Sequence, residues 1–386
     1  MSFVDVQNQL YNAMCDGLQQ SPDRFQILQP APPLSKGEGD TPLWTLFNNI
    51  PPLSLNQNYV ASGGNQLFSD FSALMGALKP ASSIDVKKDI GEDNFIAFTA
   101  YLGGLKPTPP VAKYSEIFFS WAMQYAPDVA QIGAADYAAI VLDPILSAQF
   151  SLLTYKAGKL QPDWARGYKD MVRELADAPT RTFKVDSSTT SSNVSHTWAS
   201  GQHSGLFGLW EGSSTDDQVS QQFASSSFRV EASFEHLLLF QTNAGAWYES
   251  AALGLAYHNQ GDPPWRTGSA ITWENTFGIQ GNMQRFAINL LVADTMNIVV
   301  KANTTYSELQ QQTIIENKKN GLWPFYTSSS TSGMESKVEF DDTGAIMITT
   351  TSAPTVPVVI GVNVLPISSF VGFAVSALEK RAMYQA

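Results

Sequence analysis

Residues 228–240 read Phe228-Arg229-Val230-Glu231-Ala232-Ser233-Phe234-Glu235-His236-Leu237-Leu238-Leu239-Phe240. Phe228, Val230, Ala232, Phe234, His236, Leu238 and Phe240 share one parity, whereas Arg229, Glu231, Ser233 and Glu235 take the other. That alternation predicts a long strand with one buried face. Downstream, residues 286–300, 338–350 and 356–364 are rich in β-branched side chains and predict further strands. Asp341-Asp342-Thr343-Gly344 supplies a hairpin turn inside the second of them. A helix over 304–319 is expected between strands, started at Thr304 or Thr305 with Glu308 as capping-box partner. Residues 368–384 predict a C-terminal helix.

Upstream of about Arg181 the period changes. Val6, Leu10, Met14 and Leu18 recur at helical spacing, as do Leu67, Phe71, Leu74 and Leu78 before Pro80. Residues 114–125, 135–155 and 163–176 complete a helical set, and Pro30–Pro33, Pro51-Pro52 and Pro107–Pro110 mark irregular connections. The fold class expected is therefore α+β. A helical N-terminal region, residues 1–180, packs against a mainly antiparallel β region, residues 181–386, that ends in a helix. A chain of 386 residues is long for one hydrophobic core, which favours this two-part organisation.

Composition narrows the function classes. The net charge of −12 argues against nucleic acid as partner, because phosphate binding needs clustered Lys and Arg. Lys87-Lys88 and Lys318-Lys319 are too short to reverse it, and the second pair suits the last turn of a helix closed by Gly321. Cys15 is the only cysteine, so neither an intrachain disulfide nor a cysteine-based zinc site can form. Residues 1–6 lack a basic stretch leading into an apolar run, and no segment has the length of a transmembrane helix. A chain made in the cytoplasm is expected, with any release by a non-classical route or lysis.

Residues 187–227 stand out. Two Ser/Thr-rich arms, almost without charge, flank Gly205-Leu206-Phe207-Gly208-Leu209-Trp210-Glu211-Gly212. Polar arms around an apolar, glycine-bounded tip resemble the prestem hairpin of aerolysin-type β-pore-forming toxins. The resemblance covers about a tenth of the chain. It implies a membrane-active protein in which Leu206, Phe207, Leu209 and Trp210 contact a bilayer or a protein partner, with homo-oligomers as an accompanying expectation. Strand length is adequate, since a barrel strand needs only about 9 to 11 residues. The alternation is poor, however, because Ser occupies both parities in 187–192 and 225–227. The alternative is a flexible surface loop, or a Ser/Thr-rich hairpin whose Leu206, Phe207, Leu209 and Trp210 cover the core of the helical half.

Other candidate chemistry is sparse. His196, His203, His236 and His258 do not have the spacing of a zinc site, and no metal or cofactor is expected. Glu231 with Glu235, and Glu335, Glu339, Asp341 and Asp342 near a turn, are carboxylates that could divide acid and base roles only if they converge. Asp294 falls inside an apolar run, where an unpaired charge is costly; a turn at Asp294-Thr295 is the preferred explanation. Trp265 and Trp323 lie in loop-like sequence and are candidates for ligand stacking. The Gly-x-Ser-x-Gly elbow, the P-loop, the dinucleotide fingerprint and His-Glu-x-x-His are all absent. The sequence thus favours a non-enzymatic binding or membrane-active protein. The alternatives are a self-assembling structural protein and a carboxylate-dependent hydrolase acting on glycans.

Overall fold

A computed structural model describes residues 2–51, 66–193, 208–213, 217–261 and 263–371. The fold is α+β. Strands β1 (Phe25–Ile27), β2 (Arg181–Asp186), β3 (Phe228–Gln241), β4 (Arg285–Thr305), β5 (Met334–Phe340), β6 (Ala345–Ser352) and β7 (Val358–Pro366) form one antiparallel sheet. The helices are α1 (Phe3–Leu18), α2 (Thr41–Asn48), α3 (Leu67–Ala77), α4 (Val86–Ile90), α5 (Glu92–Gly104), α6 (Tyr114–Tyr125), α7 (Ala130–Ile140), α8 (Pro144–Ala157), α9 (Tyr168–Ala176), α10 (Gln218–Ala224), α11 (Ser250–His258), α12 (Trp273–Phe277) and α13 (Glu308–Asn317). A terminal helix begins at Ile367 and is described as far as Val371.

The sheet runs β1-β7-β4-β3-β2. Along one edge, β4 pairs with β3 in unbroken register from Phe228↔Ala302 to Gln241↔Asn289. Along the other it changes partner. Residues 285–293 pair with β7 and residues 297–305 with β6, which carries β5 outside it. The sheet therefore forks at Asp294–Met296. Thr295 there has a positive φ of 48°, and the Met296 N–H, lacking a strand partner, donates to Ser352 Oγ at 2.8 Å. The reversal expected at Asp294-Thr295 does not form: β4 keeps the same register with β3 on either side of Thr295, and the left-handed residue makes only a local irregularity in the strand.

Three hydrophobic cores result from this layout. One lies where α2, α3, α8, α9 and α11 cover the β7-paired half of β4. A second gathers α1 and α10 with the other half of the sheet. Helix α1 starts on a capping box: Ser2 Oγ accepts from the Asp5 N–H, while the Asp5 carboxylate accepts from the Ser2 N–H at 2.7 Å. It then buries Val6, Leu10, Met14 and Leu18 against the strands. Apolar residues of α1 and β1 thus belong to the sheet's core, and β1 pairs β7, so the packing does not divide at residue 180. The third core is built wholly within residues 86–146, around Phe98, Phe118, Trp121 and Tyr137.

Local chemistry moved several expected boundaries. The run 135–155 is two helices, since Pro144 cannot continue α7 and Asp143 instead caps α8, its carboxylate accepting from Ile145 N–H and Leu146 N–H. The third helix of that set begins at Tyr168, not 163. The inserted helix starts at Ser307, with Gln310 as its capping-box partner, because β4 continues to Thr305. Strands β5 and β6 form the expected hairpin. Asp341 closes it by accepting from the N–H groups of Thr343 and Ala345 and from the Thr343 hydroxyl, which holds its carboxyl below the usual range.

Candidate functional site

The described parts of the Ser/Thr-rich segment, residues 187–193, 208–213 and 217–227, are tied down by the rest of the fold. In its first arm, Ser187–Thr189 form a short 3-10 turn, and α1 grips the backbone on either side of it. Gln9 donates to the carbonyls of Ser187 and Thr190, and Asn12 to those of Ser191 and Asn193. The second arm contains a helix, α10, capped by Asp217, so it is not the strand a prestem hairpin needs. Val219 and Phe223, four apart, point into the sheet core, which is why helix wins over strand here.

Leu206 and Phe207 lie outside the described residues. Leu209 and Trp210 are buried, at 0% and 6% exposure, in the core that α1 and α10 form with the sheet. Trp210 pairs with Leu322 as an isolated bridge; the Trp323 N–H donates to the Leu209 carbonyl and the Glu211 N–H to that of Gly321. Freeing two such side chains would cost about 3 to 6 kcal/mol before any contact is made. Trp323 is fully buried among Phe3, Phe223 and Phe228, with ring centroids 5.5–5.9 Å away. Trp265 is buried too, its indole N–H donating to the Asn259 carbonyl at 2.6 Å. Neither tryptophan offers a face for stacking in this structure.

The register of β3 and β4 brings together one pair that the sequence alone did not connect. His236 lies opposite Asp294, and its Nδ1 is 2.8 Å from Asp294 Oδ1. The pair sits at the fork of the sheet, between Phe234 and Met296 of one core and Leu238 and Val292 of another. Its partnering resolves the charge of Asp294 within an apolar strand, and it makes His236 a satisfied, half-buried side chain. Among the described residues no hydroxyl or thiol is hydrogen-bonded to His236, so the two residues form a structural clasp between strands.

The carboxylates do not converge. Glu231 faces Lys184 across β2–β3 at 3.4 Å and Glu339 pairs with Lys337 at 2.6 Å, all exposed. Among the described residues no group of three or more His, Cys, Asp or Glu could hold a metal. A polar cleft of about 480 Å³ does open between α1 and β2, lined by Asn12, Asp16, Lys184, Asp186, Thr190 and Asn193. Its donors and acceptors are largely engaged. Asn12 bonds the Ser/Thr arm, and Asp186 accepts from the Ser188 hydroxyl, the Ser188 N–H and Arg229, which lowers its carboxyl to about 2.

The feature that sets one surface apart is apolar. Among the described residues fourteen large hydrophobic side chains are exposed, and eight of them fall between residues 96 and 142: Ile96, Tyr101, Phe119, Met123, Tyr125, Ile132, Val141 and Leu142. Scattered exposed apolar residues are ordinary, but this concentration on α5, α6, α7 and the α7–α8 corner is not. On α5 the exposed residues Ile96, Ala97, Ala100, Tyr101 and Gly104 recur at spacings of four and make one apolar stripe, headed at its N-terminal end by the exposed acids Glu92 and Asp93. The opposite face of α5 is apolar as well, with Phe98 and Leu102 in the lobe core. A helix apolar on both sides is the signal that the sequence carried and that reading by core periodicity alone passes over. No single helix among the described residues is long and apolar enough to cross a membrane.

The chain matches no protein-family model, no curated protein and no solved structure, so its chemistry rests on these residues alone.

Proposed function

We propose that the protein is a non-enzymatic binding protein whose contact surface is the apolar outer face of α5, α6 and α7. The observation that carries this reading is the clustering of eight of the fourteen exposed large hydrophobic side chains within residues 96–142. The lobe bearing them has its own core, so a contact made there does not require the sheet to open. Self-assembly by strand pairing has less support, because the outer strands β2 and β5 carry charged residues such as Lys184, Glu335 and Lys337, which discourage edge-to-edge pairing.

The test compares the wild-type chain with an Ile96→Ser, Tyr101→Ser, Met123→Ser variant whose folding is verified by circular dichroism. Retention on a hydrophobic-interaction column and fluorescence of a bound apolar dye should both fall in the variant. Unchanged retention and fluorescence would show that the accessible apolar surface lies elsewhere.

A further inference from the structure

Granted the binding reading above, on which this rests, we infer that the partner of α5 is a second copy of the same chain, docked with the two α5 helices antiparallel about a two-fold axis. The pattern of exposure is the first reason. Asp93, Ile96, Ala97, Ala100, Tyr101 and Gly104 are all exposed and recur three and four residues apart, the spacing of one helix face. A two-fold contact sets a patch against itself, so the patch must match its own reversal. This row does. The small Ala97 and Ala100 lie at its middle and the large Ile96 and Tyr101 flank them. With the axis between residues 98 and 99, Ala97 faces the partner's Ala100 and Ile96 the partner's Tyr101. Alanines at the crossing let the two backbones approach closely, while an Ile–Tyr pair closes over the contact on either side. Tyr101 is braced from behind by stacking on the buried Phe98, with ring centroids 6.3 Å apart, so it enters the contact already ordered.

The ends of the row are the second reason. Asp93 stands in the first turn of α5, and Lys106 follows two residues after Gly104, the last of the helix. Both are exposed, and neither has an ion-pair partner among the described residues, whereas Glu92 is held by Lys87 at 2.7 Å and Lys113 by Glu116 at 3.4 Å. About 20 Å of helix rise separates the free acid from the free base. Antiparallel docking brings each Asp93 beside the partner's Lys106, so two charges left unpaired in each chain become two ion pairs at the rim, and the two helix dipoles oppose. A parallel arrangement would set acid against acid. Each chain carries −12, and the resulting repulsion between copies is screened beyond about 8 Å at physiological salt.

The experiment is sedimentation velocity of the full chain up to about 200 µM, in about 0.15 M salt. The wild type should pass from monomer to dimer as concentration rises. Ile96→Ser with Tyr101→Ser should raise the dimer dissociation constant at least ten-fold. Asp93→Lys alone, or Lys106→Asp alone, sets like charges together twice per dimer and should raise it about five-fold. The double exchange, Asp93→Lys with Lys106→Asp, should return it to within about two-fold of the wild type. Each variant is first matched to the wild type in thermal unfolding. A wild type that stays monomeric overturns the inference. So does a dimer that Ile96→Ser with Tyr101→Ser leaves intact, and so do single reversals without effect or a double exchange that restores nothing. If the chain is monomeric while column retention still depends on Ile96 and Tyr101, the binding reading stands with a different partner. If retention is also independent of them, both fail.

Discussion

Asp70 lies in the first turn of α3, half-buried, with its Oδ2 free of hydrogen-bond partners. Burial raises its carboxyl from 3.8 to about 6, opposed by a hydrogen bond from the Asn282 side chain. Replacing it by Asn keeps the shape and removes the ionisation. Because the shift is upward, the ionised form is the one that folding disfavours. Below about pH 3 the carboxyl is protonated in folded and unfolded chains alike, and it contributes nothing. As pH climbs from 3.8 through about 6 the unfolded chain ionises first, so stability falls, and above pH 6 the full penalty is present. At about 1.4 kcal/mol per pH unit the ceiling is about 3 kcal/mol. Solvent around a half-exposed group screens much of it, leaving about 1 kcal/mol. Asp70→Asn should then raise the melting temperature by about 1 °C at pH 7 to 8, with most of the gain lost by pH 4. Differential scanning calorimetry at intervals from pH 4 to 8 reads this directly. A gain of equal size at every pH, or a loss at pH 7, would refute the claim that the ionised carboxylate is poorly accommodated.

Other substitutions probe the architecture. Leu209→Ala should destabilise the fold by about 2 to 5 kcal/mol in chemical denaturation, because the residue fills the sheet core; a neutral result would return it to the surface. Gly103 crosses α8 so closely that an added Cβ would lie 2.7 Å from the Gly158 Cα, so Gly103→Ala should force α5 off α8 and cost about 1 to 3 kcal/mol. A double-mutant cycle of His236→Gln and Asp294→Asn should show a coupling energy of about 0.5 to 3 kcal/mol, and additive losses would mean the clasp contributes nothing.

Residues 228–240 were legible because alternation over that length admits one secondary structure, and the β5–β6 hairpin because Asp341 and Gly344 dictate a turn. The Ser/Thr-rich segment misled for a physical reason. Its composition suits water-facing strands, but what fixes its described parts is largely non-local: Gln9 and Asn12 reach it from α1, and Leu209 and Trp210 share a core with α1 near the start of the chain and with Leu322 and Trp323 more than a hundred positions later. Burial of Trp323 was equally hidden, since Phe3, Phe223 and Phe228 converge on it from three parts of the chain. His236 and Asp294 were each visible, but only strand register joins them.

Helix α8 shows how the candidate contact surface is held. Ile145, Ala148, Leu152 and Tyr155 face the sheet-covering helices, while Leu146 and Phe150 face the lobe core. The helix is apolar around much of its circumference because it belongs to two cores, and its N-terminus is fixed by the buried Asp143 carboxylate, which also accepts from the Ser82 N–H at 2.8 Å. Cohesion of the lobe with the sheet therefore runs through α8. Of the apolar outer residues, Tyr101 and Tyr125 touch the lobe core through Phe98 and Trp121, whereas Ile96 and Met123 are more than half exposed. Replacement of Ile96 or Met123 by a polar group should leave the melting temperature close to that of the wild type, within about 0.5 kcal/mol of stability per site. That separation of surface from core is what makes the binding test decisive, because loss of contact can then be told apart from loss of fold.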